Sequence, residues 1–248
     1  MTIDYSNDPF VKHVVHPALA DALAVMRDKD TEQTEFLRAM IQAGHILAHE
    51  ATGELTTRPI SIQTPLAGAQ CQELAEKPLI IPILRAAGAF IPGFWNLLGD
   101  NCEITPIDMK RVESGDAAPT TKVIGAEGLP NSLANRPIII VDPMLATGGS
   151  ACEGIRLAKE RDAEDIVFVA LLAAPEGIDR VREEHPDVRI FVAAVDERLD
   201  ENYYIVPGLG DAGDRCFGEK TFPVDPQELW KMVQELSGCT WQPPTWDK

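Results

Sequence analysis

The chain has 248 residues, 45% hydrophobic and 25% charged, and its 39 acidic against 22 basic side chains give a formal charge of −17. Such a length and composition suit one large folded domain or two small ones and exclude a mostly disordered chain. An acidic surface repels nucleic acid and anionic membrane, so any phosphate-bearing ligand has to be held by local amides and a few arginines; adaptation to salt would explain the same acidity.

The opening residues, MTIDYSNDPF, lack the basic-then-apolar pattern of an export signal, and no apolar run approaches the ~20 residues that span a bilayer, so a soluble cytoplasmic protein is expected. Residues 16 to 50 read as helical, with Leu19, Leu23 and Met26, then Phe36, Leu37, Met40, Ile41 and Leu47, recurring at helical spacing around a charged break at Arg27 to Asp30. After a polar stretch the pattern changes at Pro78. Short runs rich in Ile and Val follow: PLIIPIL (78–84), EITPIDM (103–109), RPIIIVD (136–142), DIVFVALLAA (165–174) and VRIFVAAV (188–195). Near-continuous apolar strands separated mostly by crossover-length segments predict a doubly wound α/β fold with a mostly parallel sheet covered on both faces. Arg111 to Asn135 reads as a long loop or hairpin, a segment suited to act as a lid. Beyond Gly218 the strand pattern stops, leaving a short amphipathic helix, PQELWKMVQEL, and a tail, GCTWQPPTWDK.

Ligands of an open parallel sheet sit beyond the carboxyl ends of the strands, and four segments lie there. In VDPMLATGGS, the small residues Ala146, Thr147, Gly148, Gly149 and Ser150 let the backbone approach an anion at a helix N-terminus. Asp142, at the strand end, can accept hydrogen bonds from vicinal hydroxyls; a capped tight turn is the plainer reading. Arg85 directly follows its strand, where a guanidinium can clamp a diphosphate or simply form a surface ion pair. Lys110 and Arg111 follow the next strand, as phosphate ligands or as a solvated basic pair. YYIVPGLGDAGDRCFG (203–218) is glycine-rich and close-approaching, able to read a planar heterocycle through main-chain groups with Asp211 near a sugar or metal, or else an irregular surface turn.

Weaker candidates are His45 and His49, an i, i+4 pair with no third ligand that reads as packing, and DERLDE (196–201), which reads as a solvated turn before it reads as a metal site. The five cysteines are dispersed, odd in number and without a C-x-x-C pair, so reduced structural thiols are expected.

Taken together and in this order, VDPMLATGGS, YIVPGLGDAGDR, AAPEGI (173–178), HPDV (185–188) and EAT (50–52) resemble the uracil phosphoribosyltransferases of the type I phosphoribosyltransferase fold, over roughly Lys12 to Lys220. The resemblance implies a single domain over 1–220 with N-terminal helices and a flexible hairpin lid, followed by an extension, 221–248, of no assigned role. It implies Mg²⁺-dependent transfer of phosphoribose from 5-phospho-α-D-ribose 1-diphosphate (PRPP) to uracil, giving UMP and diphosphate, in a homodimer with GTP as a candidate effector. Carried over by motif, Pro143, Met144 and Leu145 lead from the ribose-binding Asp142 into a 5′-phosphate cradle at Ala146 to Ser150. Arg85 and Arg111 engage the diphosphate; Ile205, Gly210, Asp211 and Ala212 face uracil, with Asp211 also contacting PRPP. Mg²⁺ is held through PRPP and water rather than by a dedicated protein site. Asp142, Asp211 and Arg85 are the catalytic set.

Two positions depart from the family pattern. Ala87 stands where Leu-Arg-Ala-Gly has its glycine, which would strain the loop if that position needs a glycine-only conformation. Lys110 replaces a tyrosine, and no aromatic residue lies between Trp95 and Phe168. A non-catalytic PRPP- or UMP-binding regulator and a transferase for another pyrimidine base are the alternatives.

Overall fold

The computed structural model describes Tyr5 and residues 8–114, 117–219 and 226–242, with backbone alone over 111–114, 117–119 and 226–229. In chain order the elements are β1 (Val11–His13), α1 (Pro17–Arg27), α2 (Gln33–Thr52), β2 (Thr57–Gln63), β3 (Gly68–Leu74), β4 (Leu79–Leu84) and α3 (Ile91–Leu98). There follow β5 (Glu103–Ile104), β6 (Ile107–Ser114), β7 (Ala117–Gly125), β8 (Ile138–Val141), β9 (Met144–Leu145) and α4 (Gly149–Lys159). The chain continues through β10 (Ile166–Ala173), α5 (Pro175–Glu184), β11 (Arg189–Val195), β12 (Arg198–Leu199), β13 (Ile205–Val206), α6 (Ala212–Phe217) and α7 (Pro226–Ser237).

The main sheet runs β1-β11-β10-β8-β4-β6-β7, parallel throughout except for β7, which returns antiparallel to β6. This is the α/β fold that the strand composition predicts. The period-2 alternation explains why the strands read as unbroken apolar runs: Ile138 and Ile140 of β8 face the α4–α5 layer, while Ile139 and Val141 face the layer of α1, α2 and α3. Both faces are dry, so both sets must be apolar. The expected 103–109 strand is divided into β5 and β6 at Thr105–Pro106, where proline has no amide to donate to a ladder.

Helix α1 begins with Pro17 at its first position, and the His16 side chain accepts the Ala18 amide 3.1 Å away. α2 meets α3 backbone to backbone: a β-carbon on Gly93 would stand 2.4 Å from the Gly44 carbonyl oxygen. His45 bonds the Ile41 carbonyl (2.8 Å) and approaches Asn96 (3.2 Å), which is a packing role, while His49 is exposed beside Glu50.

Two elements were illegible in the sequence. β2 and β3 form a separate antiparallel hairpin, exposed over most of both faces, where the polar residues give no alternation to read. The segment after Arg111 is the β6–β7 hairpin of the two forms expected, followed by a loop that buries Leu129 and Leu133.

The extension is part of the core. α7 packs on α2, α3 and the 3-10 helix Ala86–Phe90, burying Trp230, Val233, Cys239 and Trp241. Trp230 Nε1 donates to the Trp241 carbonyl at 2.9 Å, the two rings meet edge to face at 4.7 Å, and Trp95 Nε1 donates to Thr240 Oγ1 at 3.0 Å. The tail's last residues, 243–248, lie outside the described ones. Removing a buried aromatic side chain costs about 3–5 kcal/mol, and each kcal/mol moves the melting temperature of a domain this size by ~2–4 °C. Trp230→Ala is therefore expected to lower the melting midpoint by roughly 10 °C, and Trp230→Phe by much less, measured by thermal denaturation.

Candidate active site

The carboxyl ends of β4 and β8 and the first residues of β6 open into a cleft of about 550 Å³ that the turn after β13 and the start of α6 close from one side. Of the residues singled out in the sequence, Arg85, Lys110, Asp142, Met144 to Ser150, Ile205, Gly210, Asp211 and Ala212 all line it. Pro143 does not; it is buried behind the cleft, and its carbonyl accepts the amides of Leu171 and Leu172. The Arg111 side chain lies outside the described residues. Asp108, Thr121, Tyr203 and Tyr204 also line the cleft. Tyr203 and Tyr204 open the YYIVPGLGDAGDRCFG segment singled out in the sequence; Asp108 and Thr121 were not singled out, because strands and hairpin arms carry no spacing signal for which side chain turns inward.

The turn 146–149 is shaped by close approaches that only glycine permits. Gly148, at φ +77°, starts α4 in the left-handed region. Gly177, in the first turn of α5, would place a β-carbon 2.5 Å from the Ala146 carbonyl oxygen, so α5 seats flush against the turn. The start of α4 lines the cleft and brings its N-terminal partial positive charge there, with the Gly149 amide donating to Thr147 Oγ1 at 3.4 Å.

Asp142 sits at the end of β8 with one hydrogen bond, from the Met144 amide at 3.2 Å, and no basic partner among the described residues. Burial pushes its carboxyl up to about 7, opposed only by that amide. It keeps some open surface toward the cleft, so it can still be reached by a ligand. A buried carboxyl without a cation fits a ligand that donates hydrogen bonds to it, as vicinal hydroxyls do.

Arg85, joined to Leu84 by a cis peptide bond, is mostly buried and pairs with Asp214 while donating to the Gly218 carbonyl at 3.1 Å. Arg85 lines the cleft, while its partner Asp214 is partly exposed. The pair ties the end of β4 to α6, whose N-cap, Asp211, accepts the Asp214 amide at 2.9 Å. The expected strain at Ala87 is absent. Neither Ala87 nor Gly88 has positive φ; both lie in the 3-10 helix, and Ala87 is fully buried, so a methyl group suits the position. Lys110 is exposed on β6.

DERLDE corrects the sequence reading. Asp196 is 1% exposed and takes a bidentate pair from Arg27, at 2.7 and 2.8 Å, together with the Gly208 amide at 2.9 Å. Arg27 also donates to the Gly208 carbonyl at 2.9 Å. That set fixes the Val206–Pro207–Gly208 turn that presents Gly210 and Asp211 to the cleft. The helpful signal was position: like Asp142, Asp196 directly follows an apolar strand.

Comparison with known proteins agrees with this geometry. The family model for uracil phosphoribosyltransferase matches residues 13–219. The chain is 45% identical to the uracil phosphoribosyltransferase of Kocuria rhizophila over 206 residues, 82% of this chain and 95% of that one. It is 43% identical to that of Clostridium acetobutylicum over 212 residues, 85% of this chain and 99% of the other. Among solved structures, the AQ2163 protein of Aquifex aeolicus superposes with a TM-score of 0.78 at 29% identity, covering 86% of this chain and all of that one.

Proposed function

The chain belongs to the uracil phosphoribosyltransferase family, and from that premise we infer that it transfers phosphoribose from PRPP to uracil, releasing diphosphate and forming UMP in pyrimidine salvage. The observation that carries the reading is the meeting, in one cleft, of a glycine turn at a helix N-terminus, a carboxyl with no cation among the described residues, and a main-chain-rich loop held by a buried ion pair.

Breaking the ribose–diphosphate bond builds positive charge on the sugar and negative charge on the leaving group, so the residues act by positioning and electrostatics rather than as nucleophiles. The amides from Gly148 to Ser150 hold the 5′-phosphate. Asp142 accepts the ribose hydroxyls and, once ionised, lies where positive charge grows. Arg85 turns from Asp214 to the diphosphate, and Arg111 joins it there. Ile205, Gly210 and Ala212 bind uracil through the main chain, and Asp211 reaches the PRPP side. The carboxyls of Asp142 and Asp211 suit a divalent ion, for which Mg²⁺ is our assignment; they would hold it through phosphate and water, and when bound it would supply positive charge for the leaving diphosphate. The β6–β7 hairpin excludes water from the reactive sugar.

We assign the catalytic domain to residues 1–220 and read the extension as a clasp over the turn that follows Arg85, which its burial against that turn supports. The exposed β2–β3 hairpin, with Ile62 42% and Leu66 96% exposed, supports a homodimer, since an isolated hairpin gains little from its own contacts. GTP activation and a cytoplasmic location complete the proposal; no helix among the described residues is long and apolar enough to cross a membrane. Formation of labelled UMP from labelled uracil, PRPP and Mg²⁺ tests the reading. No UMP with uracil, and no diphosphate release with any pyrimidine, would sink it.

The raised Asp142 value gives a pH signature. Its folded-state value, about 7, lies above the ordinary 3.8, so the folded protein binds the extra proton between those limits and stability falls as pH rises through that window. Asp142→Asn is thus expected to melt above the native protein beyond pH 7 and to converge with it toward pH 4. UMP affinity should rise with pH through about 7 in the native protein and lose that component in Asp142→Asn, read by calorimetric titration.

A further inference from the structure

We propose that Arg180 is a further binding residue for the 5′-phosphate of PRPP and UMP, closing the glycine turn from the α5 side, opposite Thr121 of the hairpin. The proposal rests on the function inferred above.

The close seat of Gly177 on the Leu145 and Ala146 carbonyls brings the next turn of α5 against the phosphate turn. The Arg180 stem then runs along Gly148, where an added β-carbon would meet its Cβ at 3.2 Å and its Cδ at 3.3 Å. The guanidinium ends beside Gly149. A β-carbon there would stand 2.8 Å from Thr121 Oγ1, 3.4 Å from Arg180 Nη1 and 3.6 Å from Thr147 Oγ1. Two hydroxyls and one guanidinium nitrogen, carried by β7, the turn itself and α5, therefore converge on the open side of Gly149. Each can donate to a phosphate oxygen.

Charge supports the same assignment. The chain carries −17, and of the other described cations lining the cleft Arg85 is engaged with Asp214 and Lys110 is exposed on β6, so a further cation beside the turn would help to hold a dianionic phosphate. Arg180 hydrogen-bonds Glu184 through Nε at 2.8 Å, an exposed i, i+4 pair, and its Nη1 edge lies toward Gly149. Exposed pairs of this type contribute little to the fold, so removing the side chain is a fair test.

The experiment compares UMP with uridine, which lacks the phosphate, by calorimetry on Arg180→Ala, Arg180→Lys and Glu184→Gln, with steady-state kinetics alongside. Loss of a charged hydrogen bond is expected to weaken UMP binding about ten- to a hundred-fold in Arg180→Ala. Uridine binding and the KM for uracil should not move, the KM for PRPP should rise, Arg180→Lys should recover part of the loss, and Glu184→Gln should keep native UMP affinity. Native UMP affinity in Arg180→Ala, or an equal loss in Glu184→Gln, overturns the proposal while leaving the transferase reading intact. A native protein that binds no UMP and makes none overturns both.

Discussion

Asp196→Ala is expected to destabilise the protein by about 3–5 kcal/mol, the usual cost of stranding one member of a buried ion pair. The carboxylate is 1% exposed and accepts from the two terminal guanidinium nitrogens of Arg27 and from the Gly208 amide. Without it, Arg27 keeps only its bond to the Gly208 carbonyl, and the amide of Gly208 has no acceptor. Gly208 cannot shift freely to find one: it sits at φ +60°, and a β-carbon on it would lie 2.0 Å from the Ile205 carbonyl oxygen. The damage should therefore reach the loop that ends in Gly210 and Asp211. Chemical denaturation measures the first effect. The second appears as a raised KM for uracil under conditions where the variant is still folded. A change within 1 kcal/mol, the range of exposed pairs, would return DERLDE to the status of a solvated turn.

Arg85→Ala should give the opposite signature, with activity lost and the fold kept. Its partner Asp214 is 37% exposed, so the pair is worth about 1 kcal/mol or less to stability. In the working complex the same guanidinium is expected to leave Asp214 for the diphosphate, where charge develops only as the bond breaks. Removing such a group is expected to lower kcat/KM for PRPP by about a hundred-fold or more, most of it in kcat. Arg85→Lys should recover little, because an ammonium lacks the planar fork that meets two phosphate oxygens. A full-rate Arg85→Ala enzyme would remove Arg85 from the mechanism. Because Asp214 competes for the guanidinium, Asp214→Asn is a useful companion: it should leave turnover near native and lower the KM for PRPP.

The two variants also show where sequence reading succeeds and where it stops. β8 and β10 were legible because both faces of the central sheet are buried, which makes every residue of the strand apolar and leaves little else for the pattern to mean. The turn 146–149 was legible because close approach restricts it to small residues, a restriction visible at Gly148 and Gly177. The β2–β3 hairpin was not, since polar residues on two exposed faces carry no period. Ala87 looked wrong from the family pattern and proved suited to its place, because the turn it occupies is a buried 3-10 helix with negative φ.

Asp142 and Asp196 mark the boundary most sharply. Each ends an apolar strand, and on local sequence they are equivalent. Sequence by itself determined that both would stand at the carboxyl edge of a parallel sheet, where ligands bind, because strand burial and crossover length fix that edge. Which of them would meet a cation was decided only in the tertiary structure. Arg27 comes from α1, 169 residues away along the chain, and packs against Asp196, making it a structural anchor. Among the described residues no basic side chain pairs with Asp142, so its carboxyl is left to receive a ligand. The charge balance of a buried group depends on what the fold brings within a few ångströms of it, and local pattern holds no record of that distance.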